Sequence, residues 1–250
     1  MLDRPERADF HRWSINLLRP QIERLGWTPK PGEPTADAQL RSAFVYRLGV
    51  FGDQDAIVES QNQFSQYLAD ASSIDGNMRP VVINVVGRYA NEATYNQLWE
   101  RYQKAINTEE KTALLRGMQH ALDPALAIRT RELTLGEELP AAHRNYNLFY
   151  VSSRGEYLEE TWEFTKEHAA ELLAPLARYG TNSYLGYIVN RSSDPAIAAE
   201  LETVQVQHRG EDALAEAQKT SGAIRLRART RERELPGLSR WLKVHTSPSN

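Results

Sequence analysis

Apolar residues recur along this chain with the spacing of a single helix face. From Ala93 they fall at Tyr95, Leu98, Trp99, Tyr102 and Ile106, the i, i+3, i+4, i+7, i+11 pattern of an amphipathic helix. From Asp53 the same face carries Ile57, Phe64, Tyr67 and Leu68, and from Gly155 it carries Leu158, Trp162, Ala169 and Leu172. Strand signals are scarce. Val81-Val82-Ile83 and Val85-Val86 are β-branched, but no hairpin turn or partner strand flanks them, so the segment reads as a buried helix.

Stop and start signals punctuate this pattern at regular intervals. Gly52-Asp53, Ala90-Asn91, Leu122-Asp123-Pro124, Gly155-Glu156 and Ser193-Asp194-Pro195 each close one helical stretch and open another. Asp and Asn side chains cap free backbone N–H groups, and proline suits the first helical position because its missing N–H would be unpaired there. Measured between Asp53, Asn91, Asp123, Glu156 and Asp194, the spacings are 38, 32, 33 and 38 residues. Second breaks fall between them, at 72–77, Asn107-Thr108, Gly136 to Pro140 and Arg178 to Asn182. A period of roughly 35 residues built from two helices is the mark of a helical solenoid. The expected fold is all-α, an irregular HEAT- or armadillo-like superhelical solenoid of antiparallel helix pairs, with the second helix of each pair on the concave side. An evenly divided helical bundle is the plainer alternative.

The ends depart from the repeat. Residues 6–25 read as one helix with Phe10, Trp13, Leu17 and Leu18 apolar and Pro20 kinking or ending it. The Pro- and Gly-rich stretch from Gly26 to Pro34 reads as an ordered loop, since both sides look alike. The last helices are expected from about Asp212 to Leu242, giving one domain over 6–242 and a disordered tail over 243–250.

Composition narrows the function classes. The 250 residues are 41% hydrophobic and 25% charged with a net charge of -3, a balance that speaks against nucleic acid as a partner. No apolar run approaches a membrane span, and the charged first residues predict no signal peptide. Cysteine is absent, which removes disulfides, thiolate nucleophiles and cysteine metal sites together and leaves the compartment open.

The search for chemistry returns little. The histidines, His11, His120, His143, His168, His208 and His245, form no His-Glu-x-x-His, and no two stand three or four apart. No nucleophile elbow, dinucleotide fingerprint or phosphate loop occurs. The acid pairs Glu109-Glu110, Glu137-Glu138 and Glu159-Glu160 read as helix starts or solvated faces, where negative charge suits the helix dipole. Arg225 to Arg233 is the densest positive run, and its alternation spreads the arginines around a helix, as in a solvated, ion-paired segment.

The chain nevertheless resembles a known family. Leu18-Arg19-Pro20-Gln21-Ile22-Glu23-Arg24-Leu25-Gly26-Trp27, with Pro29 to Glu33 and Leu40-Arg41 after it, looks like the C-terminal helical domain of aminopeptidase N-family zinc aminopeptidases of the puromycin-sensitive and endoplasmic-reticulum type. Further matches follow in order: Val85-Val86-Gly87-Arg88, Ala93-Thr94-Tyr95, Thr108-Glu109-Glu110-Lys111, Leu122 to Leu126, Thr161-Trp162-Glu163-Phe164 and Trp241-Leu242. What the resemblance implies is a non-catalytic lid. It would close over the active site of a zinc metallo-aminopeptidase and shape the cavity for the peptide substrate. The zinc, its His-Glu-x-x-His ligands and the Gly-x-Met-x-Asn segment for the substrate amine would belong to a separate catalytic domain of the same polypeptide. This chain has neither motif, so no catalytic residue, cofactor or metal ligand is assigned to it. Within the lid, the resemblance points to Arg154 as a contact for the C-terminal end of the peptide. Arg116 and His120 fall where relatives place lining residues of other types. A guanidinium in a concave wall suits a peptide carboxylate; equally, Arg154 suits the last carbonyls of its own helix. The alternative function is a free-standing helical adaptor that binds a protein or peptide.

Overall fold

The computed structural model describes residues 4–176 and 178–246, and among them every regular element is helical. The first helices are α1 (Arg4–Leu25), α2 (Thr35–Phe51), α3 (Gln54–Ala69), α4 (Arg79–Arg88), α5 (Glu92–Lys104) and α6 (Thr108–Met118). They are followed by α7 (Pro124–Glu132), α8 (Ala141–Arg154), α9 (Leu158–Glu167), α10 (Ala169–Leu173), α11 (Arg178–Val189), α12 (Pro195–Arg209), a short 3-10 turn (Glu211–Ala213) and α13 (Leu214–Thr246). The chain is thus all-α, and the β-branched run from Val81 to Val86 is helical, as its lack of a partner strand implies. Residues 247–250 of the expected tail lie outside the described residues, while the last helix runs past Leu242 to Thr246.

Capping chemistry sets most of the boundaries. Asp53, Asn91, Asn107 and Asp194 each accept a backbone N–H of the helix that follows. Asp123 does the same for α7 through Ala125 and Leu126. Gly52 closes α2 in the left-handed region at φ 91°, a conformation that glycine adopts without steric cost. The break at Gly155-Glu156 separates α8 from α9, and the residue before α9 is Tyr157, without a side-chain cap. One expected break differs. Arg178 to Asn182 lies inside α11, and the interruption falls earlier, around Pro175. Proline lacks the N–H that would continue α10. Gly180 is tolerated because α11 buries Leu185, Ile188 and Val189 on one side. Ile106, placed by spacing on the apolar face, lies beyond the end of α5 and is 99% exposed.

The chain divides into two compact units, Leu2–Leu126 with Leu238–Asn250, and Ala127–Gly237. In the first, α1 packs on α2, α3 on α4 and α5 on α6, and α2, α4 and α6 adjoin in a row. That row rests on glycines. A Cβ on Gly49 would meet the Val85 side chain at 2.4 Å, and one on Gly87 would meet the Gly117 carbonyl oxygen at 2.1 Å, so α4 and α6 touch backbone to backbone. Around the seam lie Val45, Leu48, Ile83, Val85, Leu114 and Met118, all buried.

The loop from Gly26 to Pro34 is ordered, and a buried cation orders it. Arg41 of α2 donates to both carboxylate oxygens of Glu33, at 2.6 and 2.5 Å, and to the carbonyls of Gly26 and Leu25 at 3.0 and 3.2 Å. The same unit joins the two ends of the sequence. Trp13 of α1 meets Trp241 edge-on at 5.2 Å, and Ser239 donates to Glu6 at 3.2 Å.

In the second unit Trp162 is wholly buried among Leu148, Leu158, Leu185, Ile197 and Leu201. Its indole N–H donates to Glu200 at 2.8 Å, which also takes Lys166, so the polar end of the ring is satisfied. Asn147 of α8, fully buried, donates to the Thr130 carbonyl at 2.6 Å and the Thr134 hydroxyl at 2.8 Å, tying α8 to α7 and the turn after it.

Candidate functional site

Arg116 is the residue singled out from sequence that lines a cavity. It stands in the last turn of α6, beside a cleft of about 460 Å³ between the starts of α4 and α6. Arg79, Asn84, Glu109 and Thr112 line the same cleft. Both helix starts are fixed locally, α4 by Pro80 in its first turn and α6 by Asn107, whose side chain accepts the Glu110 N–H at 2.7 Å. The Asn84 Oδ1 is buried and has no hydrogen-bond partner among the described residues.

The cleft is backed by a polar network that sequence reading missed. Glu110 is only 8% exposed, not a solvated helix-start acid. It accepts the Tyr67 hydroxyl, and it accepts Arg101 through Nε at 2.8 Å. The Arg79 and Arg101 guanidiniums stand over the Tyr67 ring at 6.0 and 5.2 Å. Burial pushes the Glu110 carboxyl upward, but the Tyr67 and Arg101 bonds outweigh it and hold the group below its usual value. Burial, then the bond to Glu110, raises Tyr67 to about 12. With Glu110 committed to Tyr67 and Arg101, the cleft presents Arg79 and Arg116 against Glu109. That arrangement suits carboxylates and amide carbonyls.

The network gives a titration test. A folded tyrosine raised from 10.0 to about 12 contributes stability that is whole below about pH 10 and lost as pH rises towards 12. Tyr67→Phe is expected to lower stability by about 1–2 kcal/mol at neutral pH and to make the alkaline decline shallower, read from urea denaturation across pH. An unchanged alkaline limb would remove Tyr67 from that role.

His120 follows α6 but does not line the cleft. It is 2% exposed, its Nδ1 lies 2.6 Å from the Arg116 carbonyl oxygen, and its Nε2 lies 3.2 Å from the Tyr46 hydroxyl. A carbonyl only accepts, so Nδ1 donates, and in the neutral ring Nε2 takes the tyrosine proton. The ring ties the end of α6 to α2. Arg154 belongs to the other unit. It is the last residue of α8 and exposed, with its guanidinium 6.0 Å from the Tyr150 ring centre. Arg116 and His120 therefore meet within one unit. Arg79 and Asn84 carry no sequence signal as site residues; Tyr67, Arg101 and Glu110 come together only through the packing of α3, α5 and α6. Among the described residues no three His, Asp or Glu side chains are grouped so as to hold a metal ion.

Comparison with known proteins gives the context. The family described as "ERAP1-like C-terminal domain" matches residues 1–224. Aminopeptidase M1 of Arabidopsis thaliana is 29% identical over 160 residues, 60% of this chain and 18% of that protein. Aminopeptidase M1-B of Oryza sativa subsp. japonica is 28% identical over 169 residues, 64% of this chain and 19% of that protein. Aminopeptidase 2 of Candida albicans is 23% identical over 138 residues, 55% and 15% respectively. The chain spans about a fifth of the length of these relatives or less. Its helices and the extent of the match give one conclusion: the chain belongs to the family of ERAP1-like C-terminal domains, and its homologues are M1 aminopeptidases.

Proposed function

We propose that this chain is the non-catalytic lid of a zinc metallo-aminopeptidase, covering the active site of a catalytic domain and forming part of the wall around the peptide substrate. The observation that carries this reading is the family match over residues 1–224, set beside relatives several times longer. The described residues hold no group of three His, Asp or Glu side chains that fits zinc, and the metal would be the catalytic domain's. What this chain's residues offer is binding. In the cleft between α4 and α6, Arg79 and Arg116 are suited to a peptide carboxylate or carbonyl, and the Asn84 oxygen to a peptide N–H. Arg154, exposed at the end of α8, is a second contact for the peptide's C-terminal end. His120 supports the wall from behind through Arg116 and Tyr46.

The test has two arms. The purified 250-residue chain is expected to leave an aminoacyl-naphthylamide intact, and turnover would overturn the reading. In a polypeptide that carries this domain after its catalytic domain, Arg116→Ala and Arg154→Ala are expected to raise KM for peptides about tenfold while leaving the small naphthylamide unaffected. Equal effects on both substrates would remove these arginines from peptide binding.

A further inference from the structure

We propose that the unit formed by Ala127–Gly237 carries a binding site for a phosphate-type oxyanion, with Arg191 and Arg227 as its cationic groups. A cavity of about 300 Å³ lies where the end of α8, the turn after α11 and the middle of α13 meet. Its lining is Ser152, Ser153, Gly155, Asn190, Arg191 and Arg227. Two guanidiniums line it and no carboxylate does. Arg191 is exposed and makes no ion pair among the described residues.

Arg227 is half-buried and held in place. Its Nε donates to the Ser192 carbonyl at 2.8 Å, and its Nη2 donates to the Asn190 carbonyl. These bonds satisfy the last carbonyls after α11 and use two of the five guanidinium N–H groups. Neither partner is an acid. Burial, and then the charge of Arg191, hold Arg227 below its ordinary value. Asp194, the acid that follows this turn in sequence, is turned to the Ala196 N–H at 2.8 Å, where it caps α12. Two like charges on one small cavity, both without a counter-charge, are an ion pair lacking its anion.

The remaining polar groups select the kind of anion. The Ser152 hydroxyl is committed to the Ile188 carbonyl at 2.7 Å, which leaves the Ser153 hydroxyl available to a ligand. The Asn190 Oδ1 is buried and accepts nothing among the described residues. It calls for a donor beside the cations. A hydrogen phosphate ion provides both, with oxygens for Arg191, Arg227 and Ser153 and one P–OH for Asn190. Sulfate at neutral pH offers oxygens only. A larger phosphate ester is at neutral pH mainly a dianion with three oxygens and no P–OH, so the Asn190 acceptor favours the free hydrogen phosphate ion over an ester.

The test is calorimetric titration of the whole chain with inorganic phosphate at fixed ionic strength. Saturable binding at millimolar concentration or below is expected, weakened about tenfold or more in Arg191→Gln. Arg191 supports no other described contact, so this variant is expected to keep the wild-type circular dichroism and melting temperature. Ser153→Ala, weakening phosphate by a smaller factor, provides a second variant in case Arg227 substitutions loosen α11. Sulfate is expected to bind several-fold more weakly than phosphate, and Asn190→Ala to erase that difference. Glycerol 3-phosphate binding as tightly as phosphate assigns the site to a phosphate ester; weaker binding assigns it to the free ion. Absence of saturable phosphate binding, unchanged affinity in Arg191→Gln, or equal affinity for sulfate would overturn the proposal.

Discussion

Gly87→Ala is expected to lower the stability of this chain by about 3 kcal/mol or more, among the largest losses available to the addition of a single methyl group. The new Cβ would stand 2.1 Å from the Gly117 carbonyl oxygen and 2.3 Å from its carbon. Those atoms belong to the α6 backbone, so no side chain can swing away and the two helices must separate. Separation would loosen Ile83, Val85, Leu114 and Met118 together, because all four are buried around this contact. Gly222→Ala is the control. It lies in α13, its added Cβ meets nothing within 4 Å, and the change is expected to be neutral or stabilising by about 0.5 kcal/mol. Urea denaturation followed by circular dichroism separates the two; a Gly87→Ala midpoint close to wild type would show that the α4–α6 contact tolerates expansion.

Arg41→Ala is expected to cost about 3–5 kcal/mol, the range for breaking a buried ion pair from one side. Arg41 is fully buried, and its removal strands the Glu33 carboxylate together with the Leu25 and Gly26 carbonyls. The effect has a pH signature. The Arg41 hydrogen bonds hold Glu33 down at about 2 from an ordinary 4.5. A carboxylate lowered in the folded state adds stability that is present above about pH 4.5 and lost as pH falls towards 2. In Arg41→Ala that part of the acid limb is expected to flatten. Wild-type steepness between pH 4.5 and 2 would assign the acid sensitivity to other carboxylates.

Much of this architecture is written in local signals. Asp53, Asn91, Asp123 and Asp194 open helices because a short acceptor side chain reaches backbone N–H groups within three residues, and such geometry is visible in a string of letters. The run from Val81 to Val86 is legible for a similar reason: nothing nearby could pair with it as a strand. The misplacements have physical causes too. Arg178 to Asn182 looks like a turn, yet the burial of Leu185, Ile188 and Val189 outweighs one glycine, and Pro175 had already ended the preceding helix. Ile106 fits a helical period by number, but α5 stops at Lys104. The candidate site was the least readable part. Arg116 was named through resemblance to relatives, while Arg79 and Asn84 join it only because α4 and α6 adjoin. Glu110 looks like any helix-start acid until Tyr67, 43 positions away, is brought to it.

The contact of Trp13 with Trp241, and of Glu6 with Ser239, has a consequence for synthesis on the ribosome. Glu6 and Ser239 are separated by 233 positions. At about 5–20 residues per second, translation needs roughly 10–50 seconds to bring the second after the first. Throughout that interval the Trp13 face of α1 lacks its partner and stays open to water or to a chaperone. The unit that begins first is therefore completed last, after all of Ala127–Gly237 has left the exit tunnel.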